Sequence, residues 1–516
     1  MTPFLQQVAR HYHASGDMSR MCFVFPNKRS AAFFRKYLGA ECAAAGRAMI
    51  APACLTMNDF FRILSGCTVA DRVSLTLALY ECYRRLNPSA EALDEFVFWG
   101  GVLLSDFGEV DKYMVNAAHI FRNVSEYRQM QDSLDYLEPG QKEALEQFLW
   151  QFRNQGEYKE RFRRIWDLLL PLYRDFNASL DAKGLAYEGA TYRKLAERLD
   201  GEAVTDILRE RFASADKFVF VGLNALNECE KKLLRKMRDA GAADFCWDYS
   251  GDEIRDPDNR SSFFLARNVK DFPQAFEPDT EGLVRPVVHA VSVPSAVGQT
   301  KVVAEILSAM ASADGGSSQV GIETAVVLPD EGLLLPMLNS LPENIADVNV
   351  TMGYPMRGGE FHALMSDIAA LQLNARVTES GVRFYHRQVW GLFSNGILAR
   401  LMDDSDRETV AAIRNRAMYY VPAEDFAGSP LLSCIFRHAE DIPSYELDIL
   451  TRLAPMMREK GGMDMELDFA MAWYKAVSRL KELSPDVQPR TWFRLMDQLE
   501  PAAPYHSTES RSRGCR

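Results

Sequence analysis

Two groups of cations stand beside aromatic rings or a glycine turn in this chain. Lys28, Arg29, Arg35 and Lys36 follow a short apolar run and are interleaved with Phe33, Phe34 and Tyr37. Cations of that density grip phosphates and rings of that spacing stack on bases, the combination that holds a single-stranded nucleic acid without reading its sequence. Lys231, Lys232, Arg235, Lys236 and Arg238 form the second group, on a segment of helical period after Gly222. Asn27 and Asn224 are turn residues ahead of the two segments, where a helix start can hold a phosphate. The plain alternative for both groups is a solvated helix face above buried aromatics.

Other chemistry is thinly signalled. Asp106, Glu109 and Asp111 place three carboxylates within six residues, and on a helix Asp106 and Glu109 are neighbours, as acid-base or metal pairs are. With no histidine beside them, a solvated or Arg-paired face is the expectation. His11 and His13 lie in a helical segment, where positions i and i+2 diverge, so a metal pair is not expected. His386, in Phe384-Tyr385-His386-Arg387, is of a type that contacts phosphate or stacks, although a surface or half-buried histidine is the ordinary outcome. A phosphate-binding loop needs G-x-x-x-x-G-K-[ST], and the nearest fragments, Gly298-Gln299-Thr300-Lys301 and Gly222-Leu223-Asn224, do not fit it. The apolar run Lys217–Val221 ends in Gly222-Leu223-Asn224 rather than in the carboxylate that a motor ATPase uses to hold magnesium. No G-x-S-x-G nucleophile signature occurs.

The elements that must position these residues alternate in texture. Met21–Phe25 reads as a strand ended by Pro26-Asn27 and followed by a helix through Ala31, Phe34 and Leu38. Ala48–Leu55 carries Pro52 and reads as an edge strand, with Asn58-Asp59 expected to cap the next helix. From Asp71 to Leu199 the period is helical, and Pro171 is expected to kink or break a stripe running from Phe162 to Phe176. Strand and helix alternate again from Lys217. Strands are expected at Lys217–Val221, Ala243–Asp248, Val287–Val293 and Thr324–Leu328, with helices between and a loop at Ser250–Asn259. After Gly353-Tyr354-Pro355 the chain reads as helical to about Leu499. The plan is α/β, with parallel sheets covered by helices and two large helical segments attached.

The 516 residues, 47% of them hydrophobic and 25% charged, suit three or four globular domains rather than a disordered chain. A net charge of −12 excludes coating of nucleic acid through bulk positive charge and confines phosphate binding to local basic faces. The nine cysteines include no C-x-x-C pair, which points to reduced thiols in a cytoplasmic protein. No run of 18 apolar residues occurs, so no membrane span is expected.

The same residues carry a resemblance. Val24-Phe25-Pro26-Asn27-Lys28-Arg29 resembles the VFPN(R/K)R segment near the start of AddB-like proteins of the PD-(D/E)XK nuclease family, of the Bacteroidetes type. Trp99-Gly100 with Leu103-Leu104-Ser105-Asp106-Phe107, and Phe220-Val221-Gly222-Leu223-Asn224-Ala225-Leu226 with Glu230, are similar to later segments of that family. Trp247-Asp248-Tyr249, Ala325–Leu328 with Asp330-Glu331, and Val348–Pro355 continue the match in order, to about Pro504.

That resemblance implies RecA-like cores of superfamily-1 helicase type. The first is built from residues 1–75 and 205–285 around a helical insertion at 76–204, and the second, incomplete, from 286–360 with a helical insertion at 361–503. It implies an inactivated, non-hydrolysing helicase-like region, acting in DNA double-strand-break end processing and recombinational repair. That region would bind single-stranded or end-containing DNA beside an AddA-like helicase-nuclease subunit. Asn27, Lys28, Arg29, Arg35, Lys36, Asn224, Lys231 and Lys232 are the residues expected at nucleic acid. No cofactor is expected, since magnesium would serve only a nuclease domain. Pro485-Asp486, followed by Val487-Gln488-Pro489-Arg490, is not a nuclease core. The segment 504–516 departs from the family and reads as an atypical, frameshifted or prematurely stopped tail, with a natural basic tail as the alternative. Two other classes compete with this reading: a nucleotide-binding α/β enzyme, and a helical protein-interaction scaffold.

Overall fold

The computed structural model describes residues 2–122, 156–249, 254, 256, 258–279, 287–313, 324–342, 345, 347, 348, 350, 356–379, 381–483, 488–499, 511 and 512. The chain divides into two compact units, one of residues 1–91 with 99–287 and the other of residues 92–98 with 288–516. The fold is α/β and mostly helical, with one four-stranded parallel sheet.

That sheet is the centre of the first unit. Its strands are β1 (Met21–Phe25), β2 (Ala53–Thr56), β5 (Lys217–Val221) and β6 (Ala243–Cys246), ordered β2-β1-β5-β6 and all parallel. Phe23, Phe25, Val219, Val221 and Cys246 point to one face, which α1 (Phe4–Ser15) and α2 (Lys28–Ala44) cover with Val8, Tyr12, Ala31, Phe34 and Leu38. The alternate residues Cys22, Val24, Phe218, Phe220 and Phe245 point to the other. There α3 (Met57–Ser65) supplies Phe60 and Phe61, and Tyr192, Ile207 and Leu233 come from helices that follow in the chain. Burying each phenylalanine contributes about 1.5–3 kcal/mol relative to leaving it in water, and a sheet buried on both faces needs continuous apolar strands. The sequences MCFVF and KFVFV supply them.

Between β2 and β5 the chain makes a helical excursion. After β3 (Thr68–Val69) come α4 (Arg72–Leu86), α5 (Leu93–Lys112), α6 (Ala117–Arg122) and α7 (Gly156–Ala182). β4 (Leu185–Ala186), which pairs with β3, then leads into α8 (Glu188–Gly201) and α9 (Val204–Arg211). α10 (Glu228–Asp239) joins β5 to β6, and α11 (Phe263–Asp271) follows β6.

Two local expectations need correction. Pro171 does not break the helix: α7 runs through it, with Pro171 on the exposed side and the Asp167 carbonyl left without its helical donor. Asn58-Asp59 does not cap α3, because Thr56 does, its hydroxyl accepting from the Asp59 N–H at 3.2 Å.

Val287–Val293, which begins at the last residue of the first unit, and Thr324–Leu328 of the second, both expected as strands, enter no sheet among the described residues, and Val288 and Val327 are each 81% exposed. The phosphate-loop fragment Gly298–Lys301 lies inside α12 (Ala296–Ala313), and α13 (Leu334–Ser340) follows. The described strands of this unit pair antiparallel. β7 (Asp347–Val348) pairs with β11 (Arg511–Ser512), and β9 (Gly381–Tyr385) lies between β8 (Arg376–Thr378) and β10 (Tyr420–Pro422). Helices α14 (Glu360–Leu373), α15 (His386–Phe393), α16 (Gly396–Leu401), α17 (Asp404–Asn415) and α18 (Pro430–Ile435) surround that small sheet in the sequence. α19 (Ile442–Lys460), α20 (Asp464–Leu483) and α21 (Pro489–Leu499) complete the unit. Glu446 of α19 is fully buried and accepts from the Trp492 indole N–H at 3.1 Å, and burial pushes its carboxyl up to about 7. The resemblance segment 351–355 and Pro485-Asp486 lie outside the described residues, as does the tail apart from Arg511 and Ser512.

One close approach limits the helical excursion. A Cβ at Gly189 in α8 would lie 2.5 Å from the Gly108 Cα in α5, whereas a Cβ at Gly108 would meet nothing within 4 Å. Gly189→Ala is therefore expected to lower the melting temperature, costing about 1–3 kcal/mol by overpacking. Gly108→Ala should leave it unchanged or raise it, since alanine stabilises a helix interior by about 1 kcal/mol over glycine. Thermal unfolding of both variants checks the pair, and equal losses would contradict the contact.

Candidate nucleic-acid interface

Parallel pairing brings the carboxyl ends of β1, β2, β5 and β6 to one edge. From β1 the chain moves outward to β2 through α2, which covers one face. From β5 it moves outward the other way to β6 through α10, which covers the opposite face. Strand order thus reverses between β1 and β5, and in open α/β sheets the crevice outside the carboxyl ends at such a point is where ligands bind.

Of the helices that start at this edge, α3 follows β2 with a Thr56 cap and Asp59 in its first turn, while α10 and α2 are built oppositely. α10 begins with a closed capping box. The Asn227 side chain accepts from the Glu230 N–H at 2.9 Å, and the Glu230 carboxylate accepts from the Asn227 N–H at 2.9 Å. Its first turn carries Glu228 and Glu230, which suit the positive end of the helix dipole. α2 is capped only by Asn27, whose Oδ1 accepts from the Ser30 N–H at 2.9 Å and from the Ser30 hydroxyl at 3.1 Å. Its first turn has no acid and starts with Lys28 and Arg29, both exposed and without a carboxylate partner among the described residues. Two cations there oppose the dipole at a cost of about 0.3–1 kcal/mol each, which an incoming anion reverses.

The remaining expected residues divide. Arg35 is exposed and donates to the Cys54 carbonyl at 3.4 Å, and Lys36 is exposed. Phe34 is fully buried against Phe23 and Phe25, so it does not stack on a ligand, while Phe33 and Tyr37 are half-buried with ring centroids 6.3 Å apart. Gly222, at φ +66°, turns the chain after β5, and the exposed Asn224 next to it gives its carbonyl to the Asn268 side chain of α11 at 2.6 Å. Asn224 stands ahead of α10 without capping it; Asn227 has that role.

The second basic group is largely neutralised. Lys231 pairs with Glu228 at 2.7 Å, Lys232 with Asp200 at 2.7 Å, Arg235 with Asp271 at 2.8 Å and Arg238 with Asp239 at 2.7 Å. A cleft of about 490 Å³ lies along this flank of α10, lined by Tyr113, Lys232, Lys236 and Asp239 among others.

Asp111 is Arg-paired and buried rather than available for acid-base work. Arg193 Nε donates to it at 2.6 Å, and the Tyr173 and Tyr187 hydroxyls donate as well. Burial and the adjacent charge hold the Tyr187 hydroxyl far above its usual range, so it stays a donor. Asp106 keeps an exposed side chain whose carboxyl is pushed up by partial burial and by Glu109. His11 stacks on Phe276 with centroids 4.7 Å apart, and the His386 Nδ1 lies 3.2 Å from the Tyr419 carbonyl. Among the described residues no group of His, Cys, Asp and Glu is placed to hold a metal ion, and no helix is long and apolar enough to cross a membrane. A scan against family models matches none of them to this chain, and a search of curated proteins finds no match.

The capping box was missed in the sequence, although Asn227 three residues before Glu230 is its written signature. Burial pushes the Glu230 carboxyl up to about 6, against hydrogen bonding from the Asn227 N–H. A raised folded-state value means this group favours folding below its unfolded value of 4.5, a contribution lost as pH rises through about 6. Gln keeps the acceptor without the charge. The melting temperature of Glu230→Gln relative to wild type is therefore expected to increase from pH 4.5 to pH 7.5; a difference that shrinks or stays constant would contradict the burial argument.

Proposed function

We propose that this chain is the helicase-like, non-hydrolysing portion of an AddB-type helicase-nuclease, with its parallel sheet as a RecA-like core that holds single-stranded DNA beside an AddA-like subunit. The reading is supported by the ordered sequence resemblance and, in the fold, by one observation above the others. The first turn of α2 presents Lys28 and Arg29 against the helix dipole at the carboxyl edge of the sheet, with no carboxylate to balance them. Phosphate is the ligand that turns this local cost into a gain.

The mechanism follows from the local geometry. The Asn27 side chain occupies the Ser30 N–H, while the N–H groups of Lys28 and Arg29 have no acceptor among the described residues. A backbone phosphate at this turn would accept from those two N–H groups and lie between the two side-chain cations. Arg35 and Lys36, about two turns along α2, extend the cationic face, and Asn224 borders the edge from the β5 side. Contacts of this kind hold a strand without specifying sequence. The strand β5 is followed by Gly222 and Leu223, with no carboxylate there to position magnesium for hydrolysis.

Fluorescence anisotropy with a labelled single strand across a salt series tests the reading. Wild type should show affinity that falls with salt, by a log–log slope of about −0.7 per phosphate neutralised. Lys28→Ala/Arg29→Ala should weaken binding about tenfold or more and reduce the slope by about one to two, whereas Lys231→Ala/Lys232→Ala, whose cations are already paired, should change it far less. DNA-stimulated ATP hydrolysis would overturn the non-hydrolysing part, and a salt-independent small-molecule ligand in place of DNA would favour a nucleotide-binding enzyme.

A further inference from the structure

The second unit carries a cationic aromatic face that the reading above leaves unused. In the sheet β8-β9-β10 the register sets Arg376 opposite Arg383 and Tyr385 opposite Tyr420. Cross-strand partners share a face, so these four side chains stand together on the side away from the buried Phe384 and Val421. Tyr419, 64% exposed, lies beside them with its ring centroid 5.2 Å from Tyr385 and 5.6 Å from Tyr420. Arg387 is exposed on the first turn of α15.

Two features of this face ask for an anion with flat groups attached. Like charges directly opposite on neighbouring strands are destabilising, yet Arg376 and Arg383 occupy such a pair, and none of Arg376, Arg383 and Arg387 has a carboxylate partner among the described residues. The rings are also fixed in place. Arg376 lies 4.2 Å over the Tyr420 ring, the Tyr385 and Tyr419 hydroxyls are 3.3 Å apart, and the Tyr419 carbonyl accepts from the His386 N–H at 3.2 Å. Pre-set rings on a sheet face flanked by guanidinium groups are suited to unpaired bases, whose phosphates the arginines would meet.

We propose that this face is a second binding platform for single-stranded nucleic acid, with Tyr419 stacking on a base and Arg376, Arg383 and Arg387 facing the phosphates. It is carried by residues of the second unit alone, so it adds to the α2 reading without resting on it.

The test uses the full chain and a fluorescein-labelled 20-residue oligothymidine. Tyr419→Ala should weaken binding about tenfold, as loss of one base stack does, while Tyr419→Phe keeps wild-type affinity because the ring, not the hydroxyl, is used. Arg376→Gln/Arg383→Gln should weaken it at least tenfold and leave the melting temperature unchanged or higher, since a like-charge pair is removed. An oligonucleotide carrying 5-bromodeoxyuridine should photocrosslink within the peptide holding Tyr419, and should still do so in Lys28→Ala/Arg29→Ala. Unchanged affinity in Tyr419→Ala and in the arginine variant overturns this platform, even where Lys28→Ala/Arg29→Ala abolishes binding. Loss confined to the Tyr419 and arginine variants upholds it and removes the α2 reading instead.

Discussion

The buried carboxylate of Asp111 is the fixed point of the first unit. It sits at the end of α5 and receives Arg193 from α8, Tyr173 from α7 and Tyr187 from the turn before α8, while its own carbonyl accepts from the Cys229 thiol of α10 at 3.3 Å. Arg193 also donates to the Val110 and Val115 carbonyls, at 2.8 and 2.7 Å, closing the end of α5 where Met114 takes a left-handed φ of 53°. Apolar contacts tolerate sliding, but a carboxylate with three directional donors does not. Losing one member of such a buried pair costs about 3–5 kcal/mol, because the other is left charged and unpartnered. This knot ties α5, α7, α8 and α10 together, on the path from β2 back to β5 beside β1.

That return creates the edge on which the functional reading stands. With β5 parallel to β1, the turns after both strands meet, and the two helices that begin there are treated differently by the sequence. α10 balances its dipole with acids and a capping box; α2 leaves cations in its first turn. In a chain of net charge −12, the cations of α10 are largely tied into ion pairs, as Lys231, Lys232, Arg235 and Arg238 show, whereas Lys28 and Arg29 at the start of α2 have no carboxylate partner among the described residues. The like-charged Arg376 and Arg383 repeat the pattern on an unrelated sheet. In both places a local rule of stability is broken where a phosphate would repair it.

What could be read from the sequence was local. Met21–Phe25 and Lys217–Val221 were legible with their bounds because each is a short apolar run closed by turn chemistry, Pro26-Asn27 in one case and Gly222 in the other. Thr324–Leu328 has the same look and is no strand among the described residues, since an apolar run carries no information about whether a neighbour exists to pair with it. The cations at 28, 29, 35 and 36 were found by spacing, whereas the pairing of Lys232 with Asp200 and of Arg235 with Asp271 joins residues far apart and leaves no local mark. Phe34 shows the limit most clearly. Its place among cations suggested a stacking ring, and its helical period with Ala31 and Leu38 buries it. The tyrosine face was hidden for the same reason, because Tyr385 and Tyr419 meet only through the sheet.

Hydrogen–deuterium exchange of the full chain, with and without saturating single-stranded DNA, is the most direct measurement of the central claim. Binding at the carboxyl edge slows exchange of the Lys28 and Arg29 amides, which have no acceptor among the described residues, and of the turn at Gly222–Asn224, while the capped start of α10 is unchanged. Exchange at residues 26–30 that is identical with and without DNA, under conditions where the DNA is bound, would contradict it.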